Sequence, residues 1–152
     1  MADSPGVIAR PPLLYLAGLV CFLVVDWIWA MPIGTRRATL LPGLALAAVG
    51  VGNAIWGRRT MQAAGTNIDP TLPAKAIVTS GPFRFSRNPL YVSLTLLYLG
   101  LTLAFNSWWG LVALVPILVT MHRGVVLREE HYLENKFGDS YRQYRSNVRR
   151  YL

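Results

Sequence analysis

The adjacent glutamates Glu129 and Glu130 are the residues of this sequence best suited to chemistry. They follow the last long apolar segment, at the point where a helix would leave a membrane. A buried carboxylate needs a partner, because burying an unpaired charge is costly. One glutamate could therefore hold a cationic ligand group. The alternative is an interfacial helix face paired with Arg128 or Lys136.

A second polar cluster lies immediately before the third apolar segment. It contains Arg84, Arg87, Asn88 and Tyr91, and prolines stiffen the backbone on both sides of it. Rigid polar turns of this kind can preorganise a ligand site. The alternative is a basic anchor among lipid headgroups, with Tyr91 in the aromatic belt of the membrane interface.

The sequence predicts no metal site. Cys21 is the single cysteine, so it can form neither an intrachain disulfide nor a cysteine-based metal centre. His122 and His131 are nine positions apart, which matches no common ligand spacing. We also find no nucleophile–histidine arrangement, no P-loop and no dinucleotide-binding glycine motif.

Mostly apolar elements must position these clusters. Of the 152 residues, 53% are hydrophobic and 14% are charged, whereas about 25% are charged in an ordinary soluble domain. Apolar segments at residues 13–31, 40–56, 90–105 and 108–121 are candidates to cross a membrane, the second and third being short. We therefore expect one all-α domain over residues 1–152, a polytopic membrane bundle of about four transmembrane helices with a cytoplasmic, helical carboxyl-terminal tail.

The connections between these segments are also predicted by local sequence. Residues 105–108 carry no charge and are few, so the last two spans should form a tight antiparallel hairpin. Residues 67–73 and 80–82 are rich in turn formers, and little regular structure is expected between them. Beyond the fourth span, a helix over residues 125–137 should end at Gly138, and Asp139 or Ser140 could cap a last helix.

Positive charge is distributed as in a membrane protein. The formal net charge is +8, but the basic residues lie between the apolar segments and form no nucleic-acid-binding stripe. With a cytoplasmic amino terminus, 13 of the 15 basic residues face the cytoplasm and only Arg36 and Arg37 face outward. This bias predicts a multi-pass protein with both termini and the active site on the cytoplasmic side.

Two polar residues, Asp26 and Asn53, lie inside apolar segments. Polar groups at such depth are costly and usually face other helices or a polar path. We expect both to form hydrogen bonds between helices.

Several motifs occur in a familiar order along the second half of the chain. They are TSGPFRFSRNPLY at residues 79–91, REE at residues 128–130, and FGDSYRQY at residues 137–144. This series resembles the isoprenylcysteine carboxyl methyltransferase family and the related phospholipid methyltransferases, over about residues 75–144. The resemblance implies a small integral membrane enzyme that uses S-adenosyl-L-methionine.

The resemblance also implies which residues bind the cofactor, within a part of the chain at about residues 75–145. A glutamate can pair with the cofactor's ammonium, turn amides and an asparagine can hold its carboxylate or ribose, and an aromatic ring can contact its adenine or sulfonium. The residues implied are Lys75, Ala76, Ile77, Val78, Phe83, Asn88, Pro89, Leu90, Tyr91 and Glu129.

Two positions depart from the family pattern. Asn88 stands where the family usually has histidine, and Val125 stands where prenylcysteine enzymes have an arginine that binds the substrate carboxylate. Arg123 and Arg128 lie near that position and are our substrate-binding candidates. We therefore expect a lipophilic or membrane-partitioned acceptor with a carboxylate, thiol or amine. A neutral amine or thiol would need Glu130 or His131 to remove its proton.

Two other functions fit parts of the sequence. Sterol reductases resemble this family in their carboxyl-terminal region, so an NADPH-dependent membrane reductase is the alternative enzyme. A non-enzymatic lipid-binding protein would explain the basic face. In each case we expect membrane lipids as partners, and neither nucleic acid nor metal.

Overall fold

The computed structural model describes residues 4–151, and it is a bundle of helices. Residues 1–3 and 152 of the predicted domain lie outside this range. The elements in chain order are α1 (Pro11–Ile28), α2 (Arg36–Ala63), α3 (Pro89–Phe105), α4 (Trp108–Met121), α5 (Leu127–Phe137) and α6 (Asp139–Asn147). A 3-10 turn, Gly81–Arg84, precedes α3, and a π-helical turn, His122–Val126, joins α4 to α5. The described residues form no β-strand, so the predicted all-α class is confirmed.

Three helices are long and apolar enough to cross a membrane. They are α1, α2 and the continuous helix Trp108–Phe137, and α3 is a shorter apolar helix of 17 residues. This confirms the predicted membrane bundle. The second span is not short as expected, because α2 has 28 residues. Residues 57–63 contain no proline, and Gly57 packs against Leu90 so closely that an added Cβ would lie 2.8 Å from the Leu90 side chain.

Small residues bring α2 and α3 into close contact. Gly50 lies against the α3 backbone, where a Cβ would come within 2.7 Å of the Leu97 nitrogen. Gly43 and Gly100 lie in similarly close contacts along the same interface. Close approach of backbones through small residues is a common means of helix association in membranes.

A core of aromatic and aliphatic side chains joins α1 to α3 and α4. Tyr98 lies edge-on to Tyr15 and Phe22, with ring centroids 5.9 and 5.8 Å apart. Leu114 and Ile117 complete this cluster from α4. Helix α1 thus packs mainly on α4, and α2 packs mainly on α3.

The polar residues inside the apolar segments bond to other parts of the bundle: Asn53 to α3, as predicted, and Asp26 to the link between α3 and α4. Asp26 accepts a hydrogen bond of 2.7 Å from the Ser107 hydroxyl. The Asn53 amide donates to the Pro89 carbonyl at 3.0 Å and to the Ser93 hydroxyl at 2.8 Å. These bonds tie the helices together.

The connections largely follow the sequence. Asn106, in the left-handed conformation (φ 59°), and Ser107 link α3 to α4, which confirms the tight hairpin. Gly138 (φ 54°) ends α5, also as predicted. The expected capping by Asp139 or Ser140 is wrong, since Gly138 itself stands at the N-cap of α6. The Asp139 carboxylate instead accepts from Arg142 at 2.6 Å.

Candidate cofactor site

A cavity lies where the loop between α2 and α3 meets α5 and α6. Its empty space, including the opening to solvent, is about 700 Å³. Residues 66–78 form one wall, Phe83, Arg87 and Asn88 of the turn before α3 form the second, and α5 and α6 form the third. The apolar helices thus hold, at one end of the bundle, a cavity whose wall includes charged and polar side chains.

Side chains order the loop that forms the first wall. The Thr66 hydroxyl accepts the backbone N–H of Lys75 at 3.0 Å, and the Asn67 amide donates to the Pro73 carbonyl at 2.8 Å. Asp69 accepts from the backbone and the hydroxyl of Thr71, and these bonds hold the pKa of the Asp69 carboxyl below its usual value. The loop therefore has a defined shape although it contains no helix.

Glu129 contributes an acidic side chain to the cavity wall. It is partly buried, and the Tyr91 hydroxyl donates to its Oε2 at 2.6 Å. Among the described residues, no basic side chain forms an ion pair with Glu129. A carboxylate in this setting can take up a cationic group of a ligand.

Glu130 has a different environment from its neighbour. Arg87 donates to its Oε1 at 2.9 Å, and Arg150 donates to both of its oxygens at 3.0 and 2.9 Å. The hydrogen bonds that Arg150 donates to Glu130 raise the pKa of the Arg150 guanidinium above its usual value. Two guanidinium groups thus neutralise Glu130, an arrangement suited to holding elements together.

The segment after α6, residues 148–151, crosses the turn before α3. The backbone N–H of Arg87 donates to the Arg149 carbonyl at 2.9 Å, and the Asn88 amide donates to the Arg150 carbonyl at 3.0 Å. The Ser86 hydroxyl makes a longer bond of 3.3 Å to the same carbonyl. The carboxyl-terminal segment therefore fixes the polar turn that forms part of the cavity.

Two tyrosines of α6 close the cavity from the third side. Tyr141 is 2% exposed, and the Tyr144 hydroxyl donates to the Phe83 carbonyl at 2.8 Å. Burial, with a smaller effect of the Glu130 charge, raises the pKa of Tyr141 to about 12, and burial also raises the pKa of Tyr144. Both phenols are therefore neutral at physiological pH.

Comparison with known proteins shows the family of this chain. The family model described as phospholipid methyltransferase matches residues 38–140. This chain belongs to the phospholipid methyltransferase family. An uncharacterized protein of Haemophilus influenzae is 38% identical over 63 residues, which cover 41% of this chain and 100% of that protein. No solved structure matches the chain.

Membership of this family makes the protein a membrane methyltransferase. Loop residues 66–78, the turn before α3 and Glu129 all lie within the matched range, whereas Tyr141, Tyr144 and the carboxyl-terminal segment lie beyond it. The contacts made by that segment are thus a feature of this methyltransferase that the family match does not cover.

The structure brings together most, but not all, of the predicted cofactor residues. Lys75 is exposed and absent from the cavity wall, whereas Pro89, Leu90 and Tyr91 form the start of α3, with Leu90 and Tyr91 beside a neighbouring groove. Tyr91 still reaches the site through its bond to Glu129. The predicted residues that line the cavity are Ala76, Ile77, Val78, Phe83, Asn88 and Glu129.

Most of the substrate and proton-transfer candidates lie outside the cavity. His131, Arg123 and Arg128 are exposed and do not line the cavity, and Arg128 donates to the Gly6 carbonyl at 2.8 Å. His122 bonds the Tyr151 hydroxyl at 2.8 Å. Glu130 does line the cavity, but with both arginines bound to it. The roles suggested for these residues stay predictions.

Sequence reasoning missed a large part of the wall. The turn-forming residues 66–70 gave a signal for a loop and none for a site. Tyr141 and Tyr144 belonged to a recognised motif without being assigned to the site, and Arg87 was named in the polar cluster before α3 but not among the cofactor residues. The cavity residues missed in this way include Thr66, Asn67, Ile68, Asp69, Pro70, Arg87, Tyr132, Leu133, Tyr141 and Tyr144.

Proposed function

We propose that this membrane methyltransferase uses S-adenosyl-L-methionine and methylates a lipophilic acceptor that reaches the site from the membrane. The observation that carries the proposal is the Glu129 carboxylate, which lines the cavity with a tyrosine hydroxyl on one oxygen and no basic partner among the described residues. The ammonium of the cofactor is the group that such a carboxylate would bind.

The other walls fit the rest of the cofactor. Arg87 lines the cavity, and its buried Nε makes no hydrogen bond with the described residues, so it can donate to the carboxylate of a ligand. Ala76, Ile77 and Val78 offer backbone groups, and Phe83 offers an aromatic surface. These groups match the charged, polar and aromatic parts of S-adenosylmethionine.

Methyl transfer requires little acid–base chemistry from the residues of this cavity. Bound S-adenosylmethionine would supply an electrophilic methyl group on a sulfonium. The surrounding residues would then orient the two reactants and exclude water, which can supply much of the acceleration in such a displacement. An acceptor that is already an anion suits the site best, because Glu130 is paired with Arg87 and Arg150.

The placement of the chain ends supports a common side for the termini and the site. The Ile8 N–H donates to the Gly124 carbonyl at 3.2 Å, and Arg10 lies 3.6 Å from Asp69. Residues 8–10, the loop before α3 and α5 therefore lie at the same end of the bundle. With the charge bias of the sequence, we propose that this end is cytoplasmic.

Titration calorimetry on purified protein in detergent tests the proposal. S-adenosylmethionine and its demethylated product should bind the wild type, and Glu129→Gln should weaken both by about tenfold or more, as expected for the loss of a charge-assisted contact. Glu134→Gln is the matched control, because Glu134 lies on the same helix, pairs with Arg145 and does not line the cavity.

Other outcomes of the titration would change the assignment. Binding of NADPH without S-adenosylmethionine would replace the proposal with a reductase. If neither compound bound to folded protein, the lipid-binding alternative would take its place. Equal affinity of wild type and Glu129→Gln for S-adenosylmethionine would remove Glu129 from the site.

A further inference from the structure

A second cavity, which we call the lateral groove, lies between the start of α1, the end of α2 and the start of α3. Its empty space, including the open side, is about 1,180 Å³. The walls are mostly apolar and include Leu13, Ala54, Leu90 and Leu94. Because α1 packs mainly on α4 and α2 on α3, α1 and α2 make few contacts with each other. The groove therefore has α3 as its floor and room for an aliphatic chain.

Charged side chains stand at the polar end of the lateral groove. Arg10 and Arg58 both line it, together with Asp69. The Arg10 side chain is 62% exposed and its contact with Asp69 is long, at 3.6 Å. Arg58 is exposed and forms no ion pair or hydrogen bond with any residue of the described range. With two guanidinium groups and one carboxylate, the polar end of the lateral groove has a net positive charge and is complementary to an anion.

We propose that the lateral groove binds a carboxylate-headed amphiphile, with its aliphatic chain on α3 and its head between Arg10 and Arg58. A carboxylate is favoured over an amine head because the net charge of the lining is positive. It also needs no base to become a nucleophile, which agrees with the paired state of Glu130.

The lateral groove adjoins the cofactor cavity. Ile68, Asp69 and Pro70 line both, and Tyr91 lines the groove while its hydroxyl bonds Glu129 of the cavity. The head of the amphiphile would thus lie beside the cofactor site. That this amphiphile is the methyl acceptor rests on the proposed function, whereas its binding to the groove does not.

A fluorescent polyene fatty acid and its methyl ester form a matched pair of probes. Their binding to the full-length protein in non-ionic detergent is followed by energy transfer from tryptophan, at alkaline pH so that the acid is ionised. The acid should bind the wild type about tenfold more tightly than the ester, since the ester cannot form the charged contacts. Equal affinities would overturn the proposal.

Variants locate the site. Arg58→Gln and Arg10→Gln should each remove most of the preference for the acid and leave the ester unchanged. Arg59→Gln makes the same charge change at the adjacent position, which does not line the groove, and should not alter the preference for the acid. An equal loss in Arg58→Gln and Arg59→Gln would show a general charge effect and overturn the site.

A second pair of variants tests the chain-binding part. Ala54→Phe fills the groove and should weaken acid and ester alike, whereas Val51→Phe adds the same ring on an exposed surface of α2 outside the lining and should not. Titration of S-adenosylmethionine on the same samples separates the two proposals. If the wild type prefers the acid but does not bind S-adenosylmethionine, the groove proposal stands and the proposed function fails. If it binds S-adenosylmethionine but shows no preference for the acid, the proposed function stands and the groove proposal fails.

Discussion

The bond between Tyr91 and Glu129 joins two helices at the place where a ligand cation would be bound. Tyr91 is on the first turn of α3, and Glu129 is on α5 beyond the π-helical turn. The Tyr91 hydroxyl donates to one oxygen of the Glu129 carboxylate at 2.6 Å and leaves the other oxygen available to a ligand. The neighbouring Glu130 is bound by two arginines. The two adjacent glutamates therefore differ in whether they can bind a cationic ligand group.

Removing the Tyr91 hydroxyl should impair the cofactor site without altering the helix. Tyr91→Phe deletes the bond that orients Glu129, so the affinity for S-adenosylmethionine should fall by about tenfold. Isothermal titration measures this. Tyr98→Phe is the matched control, because the buried Tyr98 hydroxyl has no hydrogen-bond partner in the described part of the chain. If both variants bound equally well, Tyr91 would have no role in the site.

Arg150 should contribute to stability through Glu130. Arg150→Gln leaves the buried Glu130 carboxylate with Arg87 as its basic partner, which should cost about 1 to 3 kcal/mol. Thermal unfolding in detergent should show a lower midpoint for Arg150→Gln than for wild type. Arg149→Gln should unfold like the wild type, because the Arg149 side chain is exposed and the carbonyl it contributes is retained. An unchanged midpoint in Arg150→Gln would contradict this.

At the scale of elements, the short distance between α2 and α3 fixes where the polar turn lies. Gly43, Gly50 and Gly57 bring α2 close to α3 or to the turn preceding it. The start of α3 is in turn held by the carboxyl-terminal segment through Asn88. Two short contacts thus position the wall that carries Asn88 and Phe83.

A single methyl group should distinguish glycines that pack from those that do not. Gly50→Ala places a Cβ 2.7 Å from the Leu97 nitrogen and should destabilise the protein by about 1 to 3 kcal/mol. At Gly52 a Cβ meets no atom within 4 Å, so Gly52→Ala should keep or slightly raise stability. Thermal unfolding of both variants in one detergent makes the comparison. Equal midpoints would show that α2 and α3 are less closely packed than described.

Sequence predicted the elements better than it predicted the walls of the site. Apolar runs and turn residues are local signals, so α3, α4 and the end of α5 at Gly138 could be placed closely. The partners of Glu130 depend on a contact between α5 and a segment some 20 positions later, which no local pattern encodes. The motifs nevertheless located Glu129 and Tyr91, because a spaced series in fixed order carries more information than any one residue.

On the scale of the whole molecule, polar chemistry is collected at one end of the bundle. That end contains residues 8–10, the loop before α3, and helices α5 and α6, while the opposite end has the short connections at residues 29–35 and 106–107. The cofactor cavity and the lateral groove meet there along residues 68–70. Such a layout would allow a water-soluble cofactor and a membrane-dissolved acceptor to approach from different directions.

Cysteine labelling should reveal which end is cytoplasmic. In a Cys21→Ser background, Thr35→Cys marks one end and Ser140→Cys marks the other, and both positions are exposed. A membrane-impermeant maleimide should label Thr35→Cys in intact cells and Ser140→Cys only after lysis, because 13 of the 15 basic residues lie at the Ser140 end. The reverse pattern would invert the orientation.

Transfer of a labelled methyl group to lipid is the most direct test of the proposed function. Wild-type protein and Glu129→Gln, each reconstituted with membrane lipid extract, are given S-adenosylmethionine carrying a radioactive methyl group, and the organic phase is counted. Label should accumulate in the organic phase with the wild type and fall by at least about tenfold with the variant. Equal label in the two samples, with both proteins folded, would contradict a methyl transfer that depends on the Glu129 site.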